Sequence, residues 1–110
     1  MTDVHVVLVT APNDAEAARI ARTLVEERLV ACVNLLPSIR SIYRWEGAVE
    51  EATEILMILK SARERVDEVR DRLIELHPYD EPEFLALDVI EGSKSYLNWV
   101  LAETRRPERP

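Results

Sequence analysis

The 110-residue chain has little of what marks several common protein classes: one cysteine, two glycines and no long apolar run. A single Cys32 cannot form an internal disulfide or a cysteine-rich zinc site. Two glycines are too few for a backbone cradle around phosphates, and P-loop, dinucleotide, nucleophile-elbow and His-Glu-x-x-His motifs are all absent. We therefore expect one domain over residues 1–110 that is not an enzyme and uses no organic cofactor.

Positive charge is also scarce, with 14 Lys and Arg against 21 Asp and Glu and a formal net charge of -7. Nucleic-acid binding needs clustered cations, and the one basic cluster, Arg105, Arg106 and Arg109, falls in a tail over 105–110 that we expect to be flexible. The first apolar run, Val4 to Val9, is too short for a signal sequence or membrane span. The expectation is a cytoplasmic protein that binds neither nucleic acid nor membrane.

Hydrophobic periodicity predicts four strands and three helices in the order β-α-β-β-α-β-α. The strands are expected over 4–10, 31–45, 48–60 and 84–90, and the helices over 14–29, 62–76 and from Ser93 to about 104. Asn13 is a candidate N-cap, Glu46-Gly47 a hairpin turn, and Pro37 a bulge or edge position. This order predicts an α+β fold, the ferredoxin-like split β-α-β with an antiparallel sheet and a long hairpin.

Two features predict assembly into a homotrimer. The central strands are apolar at successive positions, so both sheet faces need cover, and an apolar patch of that size on a soluble protein usually marks a subunit interface. At ~3.3 Å per residue the arm over 31–45 extends about 50 Å, whereas a chain of this size has a diameter of roughly 34 Å. The arm must bend or reach out, and its unpaired edges are best satisfied in a closed ring.

Six short motifs carry a resemblance to a known family. They are Val9-Thr10-Ala11-Pro12, Ala31-Cys32-Val33-Asn34, Ser41-Ile42-Tyr43-Arg44-Trp45-Glu46-Gly47, Ile58-Leu59-Lys60, His77-Pro78-Tyr79 with Pro82-Glu83, and Tyr96-Leu97-Asn98-Trp99. In this order they make the chain similar to the CutA family of divalent-cation tolerance proteins. The resemblance implies a homotrimer related in architecture to PII signalling proteins, with interlocked hairpins and a cytoplasmic role in tolerance to metal ions, copper above all.

The chain departs from the family pattern at two positions. Some relatives have a cysteine just before the Thr-Ala-Pro motif and a second histidine just before the His-Pro-Tyr motif, and those residues are associated with copper. Here the positions hold Val9 and Leu76, so His77 alone remains of that set.

The best group of candidate metal donors follows the second predicted helix. His77, Asp80 and Glu83 combine an imidazole with carboxylates, a set that suits Cu(II), Zn or Ni, with Cu(II) favoured by intrinsic affinity. We therefore predict that these three residues bind Cu(II) or another divalent cation. The alternative is that His77 interacts with the carbonyl groups at the helix end and has a structural role.

Five further residues are candidates for a cleft or subunit interface. They are Cys32, Tyr43, Trp45, Lys60 and Tyr79. The thiol of Cys32 is expected to face the core or a subunit contact, and Lys60 is expected near His77. These residues favour a second hypothesis, a PII-like regulatory or scaffold trimer that binds a small molecule or a partner protein at its clefts.

Overall fold

The computed structural model describes residues 1–105, so most of the tail, including Arg106 and Arg109, lies outside the described residues. A short 3-10 turn at Arg63–Arg65 precedes the second helix. The strands and helices are β1 (Val4–Ala11), α1 (Asp14–Glu26), β2 (Cys32–Trp45), β3 (Ala48–Ala62), α2 (Val66–Leu76), β4 (Leu85–Asp88) and α3 (Lys94–Glu103).

The four strands form one antiparallel sheet in the order β2-β3-β1-β4. This order confirms the predicted split β-α-β arrangement, with β1 and β3 in the middle and β2 at an edge. Helices α1 and α2 pack on one sheet face. The main core lies between them and the sheet and includes Val7, Val9, Ile20, Leu24, Met57, Leu59, Val69 and Leu73.

Helix α1 begins as predicted and ends earlier than predicted. The side chain of Asn13 accepts a hydrogen bond from the backbone N–H of Glu16 at 2.9 Å, which caps the first turn. At the other end Arg28 takes a left-handed conformation with φ 60°, and the N–H of Leu29 donates to the carbonyl of Leu24 at 3.0 Å. This closing motif usually contains glycine, and because Arg28 takes that position here, the end of the helix at Glu26 was not predictable from residue types.

Two other predicted boundaries are wrong. Strand β3 continues to Ala62, so the second helix starts only at Val66, after the 3-10 turn. Strand β4 covers four residues, Leu85–Asp88, and is shorter than the predicted 84–90 because its pairing with β1 ends there. The end of α2 at Leu76 agrees with the prediction, since the residue before Pro78 is excluded from the helical region.

The long hairpin of β2 and β3 reaches beyond the rest of the fold. Glu46 and Gly47 both have positive φ, 48° and 82°, which is the geometry of a two-residue hairpin turn. The register shifts between Leu36 and Ile39, so Pro37 lies in a bulge as predicted. The molecule measures 49 × 32 × 22 Å, as expected if the arm projects.

The sheet face opposite α1 and α2 is only partly covered. Helix α3 packs on one end of it, where Val100 contacts Val4 and Ala31. The remainder of the face exposes Leu36, Leu85 and Leu87, and α3 itself exposes Tyr96 and Trp99. Strand register places Leu85 and Leu87 beside Leu8 and Val6 of β1, so this is one continuous apolar surface.

Within residues 1–105, none of the helices has the length and apolar character needed to cross a bilayer.

Candidate functional site

A groove with a volume of about 880 Å³ lies between the hairpin and the segment that joins α2 to β4. The hairpin contributes Tyr43, Trp45 and Glu54, and the joining segment contributes Tyr79, Asp80 and Glu83. Five of these six, all except Glu54, were singled out from the sequence, and the fold brings them to one place. The groove is therefore the natural candidate for a binding site.

His77 lies buried at the inner side of the segment, and both of its ring nitrogens have partners. Nε2 lies 2.7 Å from the carbonyl oxygen of Thr10, and Nδ1 lies 3.1 Å from the backbone nitrogen of Tyr79. A carbonyl can only accept and an N–H can only donate, so Nε2 carries the proton and Nδ1 holds the lone pair. His77 thus ties the segment after α2 to the end of β1.

The hydroxyl group of Tyr79 donates a hydrogen bond to Glu54 Oε2 at 2.8 Å. Burial, and then the acceptor Glu54, raises the pKa of Tyr79, so the phenol stays protonated and keeps donating. Glu54 itself is only 7% exposed, which is unusual for a glutamate. Tyr79 therefore connects the joining segment to the base of the hairpin.

The carboxyl group of Glu83 lies close enough to the carboxylate of Glu54 to be repelled by it. Partial burial, and then repulsion by Glu54, raises the pKa of Glu83 above its ordinary value. Two carboxylates thus share one part of the groove, and the fold disfavours ionisation of Glu83 there.

The described residues contain no ready-made metal centre. Among residues 1–105, no three or more His, Cys, Asp or Glu side chains are grouped so that they could hold an ion. Val9 is fully buried in the core, and Leu76 packs against that core, so neither position adds a donor. Any cation held by His77, Asp80 and Glu83 requires the joining segment to move.

Cys32 and Lys60 lie away from the groove, on the partly covered sheet face. They are cross-strand partners, with the Cys32 sulfur 3.5 Å from the hydroxyl of Tyr96 and the Lys60 ammonium group hydrogen-bonded to the side chain of Asn34. The expectation that Lys60 lies near His77 is wrong. Lys60 pairs with Val6, whereas the histidine contacts Thr10, four residues further along β1.

Glu54 and Thr10 are the site residues that the sequence analysis missed. A glutamate in a hairpin arm is normally exposed to solvent. Thr10 contributes its backbone carbonyl, a group that every residue has, so its residue type does not indicate this role. One signal was present, because Glu54 directly precedes the apolar run Ile55 to Leu59 and so enters the buried part of β3.

Comparison with known proteins gives consistent matches over nearly the whole chain. A family model described as CutA1 divalent ion tolerance protein matches residues 5–103. The divalent-cation tolerance protein CutA of Thermus thermophilus is 46% identical over 100 residues, which cover 91% of this chain and 97% of that protein.

Solved structures match equally well. CutA from Xylella fastidiosa superposes with a TM-score of 0.92 at 40% identity, covering 94% of this chain and 100% of the other. A structure described as the periplasmic divalent cation tolerance protein CutA from Archaeoglobus fulgidus gives a TM-score of 0.90 at 40% identity, with 93% and 99% covered.

Proposed function

Because this chain belongs to the CutA1 family of divalent ion tolerance proteins, we propose that it binds a divalent cation, Cu(II) foremost, through His77, Asp80 and Glu83. One observation carries the proposal. The hydrogen bond from Nε2 of His77 to the Thr10 carbonyl leaves the lone pair on Nδ1, which faces the backbone N–H of Tyr79 at the start of the segment that carries both carboxylates.

This arrangement has the form that metal-binding histidines usually take. A histidine ligand commonly donates its second ring N–H to a carbonyl or carboxylate, which fixes the tautomer and the ring orientation. In this chain the Thr10 carbonyl has that role. The cation would replace the N–H of Tyr79 as the partner of Nδ1, at the cost of one hydrogen bond of 3.1 Å.

Asp80 and Glu83 supply the negative charge that would attract a cation. Asp80 is exposed on the joining segment, and burial, followed by repulsion from Glu54, raises the pKa of Glu83. A divalent cation would offset the repulsion between Glu83 and Glu54. The three ligands converge through a shift of residues 79–83, and Cu(II) is favoured by its affinity for nitrogen and oxygen donors.

We propose further that the functional unit is a homotrimer with PII-like architecture. The support is the apolar sheet face, which includes Leu36, Leu85 and Leu87 and continues to Tyr96 and Trp99. Cys32 and Lys60 lie on the same face and are the proposed polar residues of the interface. A free thiol suits a reducing compartment, which supports a cytoplasmic location.

A second candidate function is a PII-like regulatory or scaffold trimer that binds a small molecule or a partner protein at its clefts. The observation that favours it is the groove, whose aromatic residues Tyr43 and Trp45 are both nearly half exposed. Exposed aromatic rings beside a cavity of this size are typical of a ligand site.

Titration calorimetry with Cu(II) tests the cation proposal. Asp80→Asn and Glu83→Gln are each expected to weaken binding by at least about tenfold, since each removes an ionised ligand. Binding by the unsubstituted chain should also weaken between about pH 7.5 and about pH 5.5, because the raised pKa of Glu83 lets protons compete with the cation for that carboxylate.

The matched control is Glu81→Gln, which removes the same charge from the same segment at a residue that is not a proposed ligand. It should change the affinity by less than about threefold. Equal losses in all three variants would show general attraction to an acidic surface and would argue against a defined site.

A further inference from the structure

The inner part of the groove contains a buried carboxylate with no cationic partner. Within residues 1–105, Glu54 forms no ion pair, and its hydrogen-bond partner is the neutral hydroxyl of Tyr79. The one arginine in the groove wall, Arg40, is paired with Glu51. Charged groups that are nine-tenths buried are normally paired with an opposite charge, and a cationic group bound in the groove would supply the positive charge that Glu54 lacks within residues 1–105.

The size of the groove indicates what kind of cation fits. Its volume of about 880 Å³ lies in the range of small-molecule sites and far exceeds the space that a single metal ion needs. Within residues 1–105 the carboxylate of Glu83 lies near Glu54, but no third His, Cys, Asp or Glu side chain completes a set that could hold a metal ion. The chemistry there suits an organic cation.

The aromatic rings favour the same class of ligand. Tyr43 and Trp45 border the groove and expose their rings, and aromatic faces attract alkylammonium groups and pack against methylene chains. The outer end of the groove is acidic, with Asp80 and Glu81 on its rim. A ligand with an amine at each end and an alkyl chain between them would satisfy both ends.

We propose that the groove binds an aliphatic diamine, with one ammonium group at Glu54, the alkyl chain against Tyr43 and Trp45, and the second ammonium group at the acidic rim. The proposal goes beyond divalent-cation binding. It needs neither His77 nor a metal, and it assigns the aromatic half of the groove a ligand of its own.

The test is titration calorimetry with putrescine as the probe, in a chelator-containing buffer of low ionic strength. The neutral diol of the same chain length, 1,4-butanediol, is the comparison ligand. We expect putrescine to bind and the diol not to bind. Glu54→Gln, which keeps an acceptor for Tyr79, should weaken putrescine binding by at least about tenfold, because it removes the buried countercharge.

Two further variants separate this role from general effects. Glu64→Gln removes one charge from an exposed position on the 3-10 turn, outside the groove, and should leave putrescine affinity unchanged. Tyr43→Leu alters an exposed ring and should weaken binding severalfold while the fold is retained. The proposal is overturned if putrescine and the diol behave alike, or if Glu54→Gln binds putrescine as tightly as the unsubstituted chain. Cu(II) binding through His77 is measured separately, so either proposal can fail alone.

Discussion

The ionisation of Glu83 depends on the position of its side chain in the groove. Burial and the charge of Glu54 raise its pKa, so the folded protein favours the protonated form more than the unfolded chain does. The resulting stabilisation is fully present below the ordinary glutamate value of 4.5 and is lost as the pH rises through the raised pKa of the folded state. At neutral pH the ionised carboxylate therefore works against folding.

Glu83→Gln is accordingly expected to increase the free energy of unfolding at neutral pH when no metal is present. The gain should stay below about 1 kcal/mol, because the carboxylate retains contact with water. Chemical denaturation across the acid range measures it. The difference between the two proteins should shrink as the pH falls toward 4.5, and a gain that is constant with pH would show that charge is not its cause.

At this scale the sequence predicts some contacts of the site and not others. His77, Tyr79, Asp80 and Glu83 lie within seven residues of one another, so proximity along the chain already groups them. Their hydrogen-bond partners come from strands that are distant in the sequence. The carbonyl of Thr10 on β1 bonds to His77, and Glu54 on β3 bonds to Tyr79. Their contribution depends on strand register, which residue types alone do not determine.

Among the elements, helices α1 and α3 differ in how their first turns are capped. The side chain of Asn13 accepts from the backbone N–H of Glu16, whereas Ser93, at the equivalent position of α3, forms no side-chain cap. The sequence predicted an N-cap at Asn13 and the start of a helix at Ser93, a residue type that is also common at N-caps. Only the structure shows that the serine hydroxyl does not take that role.

Asn13→Ala is expected to lower the free energy of unfolding by about 1 kcal/mol, because it leaves a backbone N–H of the first turn without its acceptor. Ser93→Ala is the matched comparison and should change it by no more than a few tenths of a kcal/mol. Urea denaturation measures both. Equal losses in the two variants would contradict the difference in capping.

Element order and strand pairing were predictable because hydrophobic period, proline and the Glu46-Gly47 turn all indicated the same topology. The positions at which helices and strands end were not predictable from the sequence. Helix α1 ends with a non-glycine residue, Arg28, in a left-handed conformation, and β3 continues through residues that also fit the start of a helix. Tertiary contacts override local preference at such places.

For the whole molecule, the central question of assembly concerns the uncovered sheet face. Leu87 on that face is 47% exposed in the single chain, and Ile74 on α2 is 53% exposed. If the trimer forms through the sheet face, Leu87→Glu should break it and Ile74→Glu should not, since only the first places a charge inside the interface.

Light scattering after gel filtration measures the assembly. The unsubstituted chain and Ile74→Glu should each give a mass near three times 12.6 kDa, and Leu87→Glu should give a smaller species. A stable monomer for the unsubstituted chain at micromolar concentration would contradict the proposed trimer. If Leu87→Glu still forms the trimer, the subunit interface lies on another surface.

We propose that Nδ1 of His77 is the atom that binds the cation. Nitrogen-15 NMR of the two imidazole side chains, recorded with and without Zn²⁺, tests it most directly, because Zn²⁺ is diamagnetic. On addition of Zn²⁺ the Nδ1 resonance of His77 should shift, its Nε2 proton should remain, and His5 should not change. Unchanged His77 resonances at saturating Zn²⁺ would contradict the claim and leave His77 as a structural residue that joins α2 to β1.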